Sequence, residues 1–341
     1  MEPETLNPES MRIVVSSPAF HPKIGGLEEV ARICCQEFHH AGHQVTVLTE
    51  TMLGDATELP FTVRRRPGFL EALRMVADCD VFLEFNISLK GLIFPLLCRK
   101  PVVISHQSWF SDIRQPATKR ARLKHWVSRC VTNIACSQAV KDYLGTDATV
   151  IPNAYDDLTF RLMPEVKRDR DLLFVGRLVS DKGVTLLVEA VGRLAQEGIH
   201  PTLTITGSGP EEEPLRQQVR RLGLEDQTRF TGPLRGEALA QEMNRHRNLV
   251  VPSLWSEPFG IVALEGIACG CWVIGSEQGG LKDAIGPCGV TFPNGNVGAL
   301  VHEVRRVHKS CLSPVSGAAH LESHKSGAVA EAYLKVLSKV V

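Results

Sequence analysis

The sequence lacks an excess of charge of either sign, an apolar run long enough to cross a bilayer and any Cys-x-x-Cys pair. Its 38 basic and 38 acidic residues cancel, which excludes a broad electrostatic attraction to nucleic acid. Its longest apolar stretches have the length of strands, whereas a membrane span requires about 20 residues. The ten cysteines have irregular spacings and many lie within apolar runs, which favours buried reduced thiols over disulfides.

The N-terminal segment lacks the pattern of a secretory leader. Residues 1–10 carry three glutamates and two prolines, whereas a leader has a basic segment followed by an apolar one. The sequence therefore predicts a cytoplasmic protein that does not cross a membrane. Met11, which directly precedes the first apolar run, is an alternative translation start to Met1.

The 341 residues have the composition of an ordinary globular protein. Hydrophobic residues at 43% and charged residues at 22% exclude a disordered, a collagen-like and a disulfide-scaffold chain. Single hydrophobic cores usually stop growing near about 250–300 residues, so the length predicts two domains.

Short apolar runs alternate with helical patterns along the whole chain. Strands are predicted at 12–17, 45–48, 81–85, 102–105, 133–136, 149–151, 172–175, 202–206, 228–231, 249–252, 272–274 and 290–292. Proline and charge interrupt the alternation, which places a domain linker at 153–171. Because parallel neighbours need helical crossovers, the fold class is α/β, with two Rossmann-like, doubly wound parallel-sheet domains facing across a cleft.

The segment 253–265, with the sequence SLWSEPFGIVALE, follows a predicted strand and begins a helix near Phe259 or Gly260. A helix N-terminus offers free backbone N–H groups and a positive dipole end, which suit a diphosphate. Glu257 and Glu265 then stand on either side of it and can bind hydroxyl groups. The spacing alone is equally compatible with an ordinary strand-turn-helix carrying two structural or solvated glutamates.

The same segment resembles the E-x7-E signature of the retaining glycosyltransferases of family 4, which have the GT-B fold. Four further motifs match in order and context and extend the resemblance over nearly the whole chain: GGLE at 25–28, IPN at 151–153, VGRLVSDKG at 175–183 and GSGP at 207–210. The resemblance makes residues 1–160 the acceptor-side domain, with the C-terminal helix 320–341 packing back on it. It makes residues 161–319 the donor-side domain. Ala154 follows Asn153 where the family usually has glycine.

The resemblance also implies roles for individual residues. Arg177 and Lys182 bind the donor pyrophosphate, Glu257 orients the sugar hydroxyls and Glu265 holds the ribose. His106, at the end of a predicted strand, should reach the cleft beside the transferred sugar, although a purely structural histidine is the alternative. The other expected donor-binding residues are Gly25, Gly26, Asn153, Gly176, Gly207, Gly209, Phe259, Gly260 and Ile261. Residues 230–234 are expected to hold the base by backbone contacts.

The predicted function is retaining transfer of a hexosyl unit from a UDP- or GDP-sugar to a hydroxyl acceptor. A small molecule, a glycan and a lipid-linked acceptor all remain open, and the nucleotide sugar is a co-substrate, so no cofactor is expected. Two alternatives stay open: a sugar-nucleotide epimerase on the same fold, and a catalytically inactive nucleotide-sugar-binding protein.

Two further patterns have competing interpretations. Asp78-Cys79-Asp80 has a spacing that divalent metals use, but its position before a strand favours a solvated strand start, and no metal site is predicted. The basic stretch 119–129 either forms a solvated helix face or lies on an anionic lipid surface, as a weak peripheral contact at the inner face of the membrane. No nucleic-acid partner is expected.

Overall fold

The computed structural model describes residues 10–23, 25–54, 58–111, 118–310 and 317–341. The chain divides into two compact units: unit 1 is Met1–Ala154 together with Lys325–Val341, and unit 2 is Tyr155–His324. The first boundary falls inside the predicted linker. The second lies after His324 rather than after residue 319.

Unit 1 is built on a parallel sheet whose central strands are continuous apolar runs. Its strands are β1 (Arg12–Ser16), β2 (Gln44–Thr49), β3 (Thr62–Arg65), β4 (Val81–Phe85), β5 (Val102–His106), β6 (Thr132–Ala135) and β7 (Thr149–Val150). They form a seven-stranded sheet in the order β3-β2-β1-β4-β5-β6-β7, parallel throughout. All of β4 is buried, as is typical of parallel strands covered by helices on both faces.

Unit 2 repeats this design with six strands. They are β8 (Arg170–Val175), β9 (Leu203–Thr206), β10 (Thr228–Gly232), β11 (His246–Val251), β12 (Trp272–Ser276) and β13 (Gly289–Phe292). Their order is β10-β9-β8-β11-β12-β13, again all parallel. Its hydrophobic core includes Leu187 and Val191 on the helix after β8, Ile205 on β9, and Val304 on the helix after β13.

Helices connect the strands in both units. In unit 1 they are α1 (Gly26–His40), α2 (Phe69–Asp78), α3 (Ile93–Cys98), α4 (Lys119–Ser128) and α5 (Gln138–Leu144). In unit 2 they are α6 (Val184–Gln196), α7 (Glu212–Arg221), α8 (Gly236–Asn244), α9 (Ile261–Ala268), α10 (Leu281–Ile285), α11 (Val297–Ser310) and α12 (Ala318–Glu322). The last helix, α13 (Ser326–Leu337), returns to unit 1. No helix in the described ranges has the length and apolar content needed to span a bilayer.

The C-terminal segment differs from the single helix predicted over 320–341. It forms two helices, of which α12 belongs to unit 2 and α13 to unit 1. Tyr333 of α13 is fully buried; its ring stacks on Phe85 at 6.1 Å and lies 6.3 Å from Phe38. Its hydroxyl is hydrogen-bonded to Ser105 Oγ at 2.7 Å. Aromatic packing and two buried hydrogen bonds, the second donated by Gln107 Nε2 at 3.2 Å, therefore fix α13 in unit 1.

Each predicted strand position holds a strand, and the structure adds one that the sequence did not predict. That strand is β3, at the edge of the unit 1 sheet beside β2. Its residues are only half-buried or exposed and include two arginines. An edge strand of this kind has no continuous apolar run, so the pattern used for the other strands does not detect it.

Candidate active site

The predicted donor-binding loops of unit 2 lie where its strand order reverses. From β8 the chain proceeds through β9 to β10 on one side, and then returns to β11 on the other side of β8. The loops after β8 and β11 therefore leave the sheet side by side at its carboxyl edge. Doubly wound sheets bind ligands at this position.

An ion pair joins these two loops. Lys182 Nζ donates a hydrogen bond to Glu257 Oε1 at 2.6 Å, and Ser253 Oγ donates to the same oxygen at 2.6 Å. The side chains of Lys182 and Glu257 are 24% and 11% exposed, so the pair is partly shielded from water. Among the described residues, no side chain donates to the second carboxylate oxygen, Oε2. One oxygen of Glu257 is thus fixed and the other remains available to a ligand.

Gly183 allows the two loops to approach each other. Its φ angle is 68°, and a Cβ at this position would collide with the carbonyl oxygen of Pro252, at the start of the loop after β11. A side chain at position 183 would therefore be strained and would also push the loops apart.

The backbone of Glu257 is held by the neighbouring loop. Glu257 forms an isolated parallel bridge with Gly279, and the Gly280 N–H donates to the Glu257 carbonyl at 2.7 Å. Helix α9 begins only after Gly260, whose φ is 111°. Glu257 therefore lies outside the helix and Glu265 lies inside it. The helix start agrees closely with the predicted one.

Phe259 and Ile261 stand on either side of Gly260. Phe259 is buried, and its ring stacks on His324 with centroids 5.9 Å apart. Ile261 is the first helical residue of α9, whose N-terminus has no side-chain cap. Free backbone N–H groups are therefore present at this helix end.

Three predicted glycines surround the end of β8. A Cβ at Gly207 would collide with the Gly176 carbonyl oxygen, and one at Gly209 would collide with the backbone of Leu178. Gly176 and Gly207 also have φ angles of 159° and 142°. These positions bring the backbones of the loops after β8 and β9 into direct contact, which larger residues would prevent.

Arg177 follows Gly176 directly and is exposed. Its guanidinium forms no ion pair with any residue in the described part of the chain. The segment expected to hold the base begins at Phe230, whose ring lies 4.2 Å below the Arg216 guanidinium. The Gly232 carbonyl accepts from the Gly207 N–H at 2.9 Å, so this segment is tied to the glycine loop.

In unit 1, His106 ends β5 and is fully buried. Asn133 Nδ2 donates to the carbonyls of Ser128 and Val131, so its Oδ1 accepts from His106 Nε2 at 2.8 Å. Burial lowers the pKa of His106 to about 4, although the Asn133 bond acts in the opposite direction. The imidazole is thus neutral at pH 7 with its proton on Nε2, and Nδ1 has no partner among the described residues.

The remaining predicted residues of unit 1 lie at loop ends. Gly25 is the N-cap of α1 and Gly26 its first residue, and a Cβ at Gly25 would collide with the Glu28 carboxylate. Asn153 is buried, and its Oδ1 has no hydrogen-bond partner in the described part of the chain. Among the described residues, Asn153 thus retains an unused side-chain acceptor.

The Asp-x-Asp pattern has a structural explanation. Asp80 forms an ion pair with Arg12 at 2.5 Å and accepts its backbone N–H at 2.7 Å, while Cys79 between the aspartates is buried. Asp78 ends α2. The pattern therefore joins the starts of β1 and β4. No group of three or more potential metal ligands occurs within the described ranges.

Sequence reasoning missed the partners of the predicted side chains. Ser253 belongs to the same segment as Glu257, four residues earlier, but only the folded loop shows that its hydroxyl holds the carboxylate. The sequence pattern identifies Asn133 only as the first residue of a predicted strand. It supports His106 because β5 and β6 pair in parallel, with His106 opposite Ala135.

Two family models match adjoining parts of the chain: Glycosyltransferase Family 4 over residues 24–157 and Glycosyl transferases group 1 over residues 160–311. Glycogen synthase of Mycobacterium tuberculosis is 32% identical over 87% of this chain and 86% of its own length. The chain belongs to glycosyltransferase family 4.

Solved structures confirm the predicted fold of this family-4 glycosyltransferase. Anabaena HepE in complex with UDP matches with a TM-score of 0.82 at 19% identity, covering 96% of this chain and 100% of HepE. HepE in complex with UDP-glucose matches with a TM-score of 0.80 at 20% identity, with the same coverage. The glycosyltransferase thus consists of the two parallel-sheet, Rossmann-like domains of the GT-B fold.

Proposed function

We propose that this glycosyltransferase transfers a hexosyl unit from a nucleoside diphosphate sugar to a hydroxyl acceptor, with retention of the anomeric configuration and without a metal ion. The observation that carries the proposal is the Lys182–Glu257 pair, which lies with Arg177 at the switch point of the unit 2 sheet. HepE has been solved with UDP and with UDP-glucose, which favours UDP-glucose as the first donor to test. GDP-sugars are the alternative donors.

Arg177 and Lys182 supply the positive charge that a diphosphate leaving group needs. When the bond between the sugar and the diphosphate breaks, negative charge grows on the phosphate oxygens. The exposed Arg177 guanidinium forms no competing ion pair with the described residues, and its planar fork can donate to two of these oxygens. Fixed charges and the uncapped N-terminus of α9 would stabilise the developing charge without reorganisation.

Glu257 is suited to orient the sugar. Lys182 and Ser253 both donate to Oε1, so the carboxylate is fixed before the donor binds. The second oxygen can then accept hydrogen bonds from hydroxyls of the transferred hexose. Glu265, in the second turn of α9, would hold the ribose hydroxyls.

His106 is proposed to contact the transferred sugar as a neutral hydrogen-bond acceptor. Asn133 holds the ring proton on Nε2, so the unpartnered Nδ1 can accept from a hydroxyl. Because burial lowers the pKa of His106 to about 4, the ring is not a proton donor near pH 7. Its role would be positional rather than acid–base.

The sharpest test replaces Arg177, because this exposed side chain has no ion pair to lose within the described part of the chain. We expect Arg177→Ala to weaken UDP binding, measured by calorimetry, by about tenfold or more, since a charge-assisted contact to phosphate is lost. The melting temperature should stay unchanged. Arg193→Ala is the matched control, because Arg193 pairs with Glu189 on the surface of α6. Equal UDP affinity of Arg177→Ala and wild type would contradict the assignment.

A second assay separates transfer from the alternatives. The protein is incubated with UDP-glucose and a panel of sugar and alcohol acceptors, and products are examined by NMR. We expect a new glycoside in the configuration of the donor, with unchanged yield in the presence of EDTA. An epimerised nucleotide sugar in samples without acceptor would identify an epimerase instead. UDP binding without turnover on any acceptor would support a binding protein.

A further inference from the structure

A groove of about 900 Å³ opens on unit 1 between α3 and α4. Its walls also include residues 99–102 at the start of β5 and residues 129–132 at the start of β6. We call these helices and segments together the α3–α4 surface. Most of the groove's lining is apolar, including Leu92, Ile93, Leu96, Trp126 and Val127.

Large apolar side chains are concentrated on and beside this surface. Leu96, Leu97 and Trp126 are 78%, 59% and 62% exposed. More than half of the exposed large hydrophobic side chains in the described ranges lie on α2, α3 and α4. The rings of Phe69 and Phe94, 5.3 Å apart, connect α2 to α3. Isolated exposed leucines are ordinary, but a contiguous exposed patch of this kind marks a binding surface.

The same surface has one sign of charge. Lys119, Arg120 and Arg122 of α4 are exposed, and the helix has no acidic residue. Arg99, Lys100 and Arg129 line the groove, and none of its described lining residues is acidic. Because the whole chain has no net charge, this local excess is a property of the surface.

We propose that the α3–α4 surface docks on a bilayer that contains anionic phospholipid. Trp126 and the exposed leucines would enter the boundary between headgroups and acyl chains, where tryptophan is favoured. The basic side chains would bury their stems and keep their charges at the phosphate level. Apolar insertion and attraction to anionic lipid strengthen each other, as in other interfacial surfaces. The proposal is independent of the donor chemistry proposed above.

Two other occupants fit the surface less well. A second copy in a two-fold dimer would place this surface against itself and bring the basic residues of α4 close to their own copies. A nucleic acid would use the positive charge, but exposed leucines such as Leu96 and Leu97 do not stack on bases as aromatic side chains do. Neither occupant uses both properties of the surface.

Vesicle sedimentation tests the proposal with the full chain. Vesicles of phosphatidylcholine alone are compared with vesicles containing phosphatidylglycerol, at low and at high salt. We expect binding only to the anionic vesicles, with weakening as salt rises. Leu96→Gln/Trp126→Gln and Arg120→Gln/Arg129→Gln should each reduce vesicle binding by about tenfold or more. UDP affinity should remain that of the wild type, so this test and the donor-site test fail separately.

Matched controls remove the same kinds of side chain elsewhere. Leu158→Gln replaces a leucine of unit 2 that is 81% exposed, and Arg193→Gln replaces a surface arginine of α6. Both should bind vesicles like the wild type. The proposal is wrong if the wild type binds both vesicle types equally or binds neither. It is wrong, too, if Leu96→Gln/Trp126→Gln binds vesicles like the wild type while duplex DNA displaces the protein from them. It is also wrong if gel filtration shows a dimer that only the α3–α4 variants dissociate.

Discussion

Glu84 is a buried carboxyl group at the switch point of the unit 1 sheet. It lies on β4 opposite Ser16 of β1, and a Cβ at Gly91 would collide with its Oε1. Burial raises the pKa of Glu84 to about 8, against the opposing effects of the Ser88 backbone N–H, the Lys124 ammonium and the Ser16 hydroxyl. The folded protein therefore favours the protonated carboxyl group.

Glu84→Gln tests this protonation. Because the pKa is raised in the folded state, the stability that protonated Glu84 contributes is complete below its ordinary value of 4.5 and is lost as pH rises through about 8. Glutamine is neutral at every pH. The free energy of unfolding of Glu84→Gln minus that of wild type should therefore increase from pH 5 to pH 9, by on the order of 2–5 kcal/mol. Urea unfolding of both proteins at pH 5, 7 and 9 measures this difference in unfolding free energy.

The control for this experiment is Glu189→Gln, which removes an exposed carboxylate of α6. A difference between Glu84→Gln and wild type that stays constant with pH would show that Glu84 is ionised in the folded protein throughout.

At the scale of elements, the loops after β8 and β9 are in contact because glycine occupies both. Gly207 combines a φ of 142° with a Cβ position blocked by the Gly176 carbonyl oxygen. Gly223 is the useful comparison, because its φ is 65° but nothing lies within 4 Å of its Cβ position. Gly223→Ala therefore introduces a positive φ without a collision, whereas Gly207→Ala combines a positive φ with a collision.

Gly207→Ala should lower the free energy of unfolding by more than Gly223→Ala, whose angular strain alone costs about 1–3 kcal/mol. Only Gly207→Ala should also weaken UDP binding, because the displaced loop carries the proposed donor-site backbone. Urea unfolding and calorimetry measure the two effects. Equal destabilisation by both substitutions, with unchanged UDP affinity, would show that the loops separate without consequence.

Helix α4 shows why a single element is incompletely described by its own sequence. Its basic residues are visible in the sequence, which left open whether the helix is solvated or lies on lipid. The apolar side chains beside them come mainly from α3, such as Leu96 and Leu97. No local periodicity connects the two helices, so the combined surface depends on their packing.

At the scale of the whole molecule, unit 1 is assembled from both ends of the chain. Tyr333 of α13 packs against Phe85 and Phe38, and its hydroxyl forms hydrogen bonds with Ser105 and Gln107. The N-terminal segment therefore requires the C-terminal residues to complete its core. In the sequence the two are separated by the whole of unit 2, Tyr155–His324.

Substitutions of Tyr333 test this dependence. Tyr333→Phe keeps the ring and removes the hydroxyl, which should cost about 1–2 kcal/mol of unfolding free energy. Tyr333→Ala also leaves a cavity and should cost about 3–5 kcal/mol. Lys335→Ala, exposed on the same helix, is the control. Circular dichroism during urea unfolding measures all three, and a Tyr333→Ala protein as stable as the control would show that α13 does not complete the core.

The sequence by itself determined the order of strands and helices, the two-domain GT-B fold and the family. The periodicity of apolar residues, apolar runs, glycine positions and short motifs are local properties. They identify most elements and predict Arg177, Lys182 and Glu257 as site residues. They failed for β3, a half-exposed edge strand, and for the break between α12 and α13.

Only the tertiary structure decided which of these residues meet. Strand order places the loops after β8 and β11 side by side, so that Lys182 reaches Glu257 across 75 positions of sequence. Parallel pairing of β5 and β6 gives His106 its partner Asn133, and helix packing forms the α3–α4 surface. These contacts depend on long-range packing, because the spacing of residues in the sequence does not determine which strands are neighbours in the sheet.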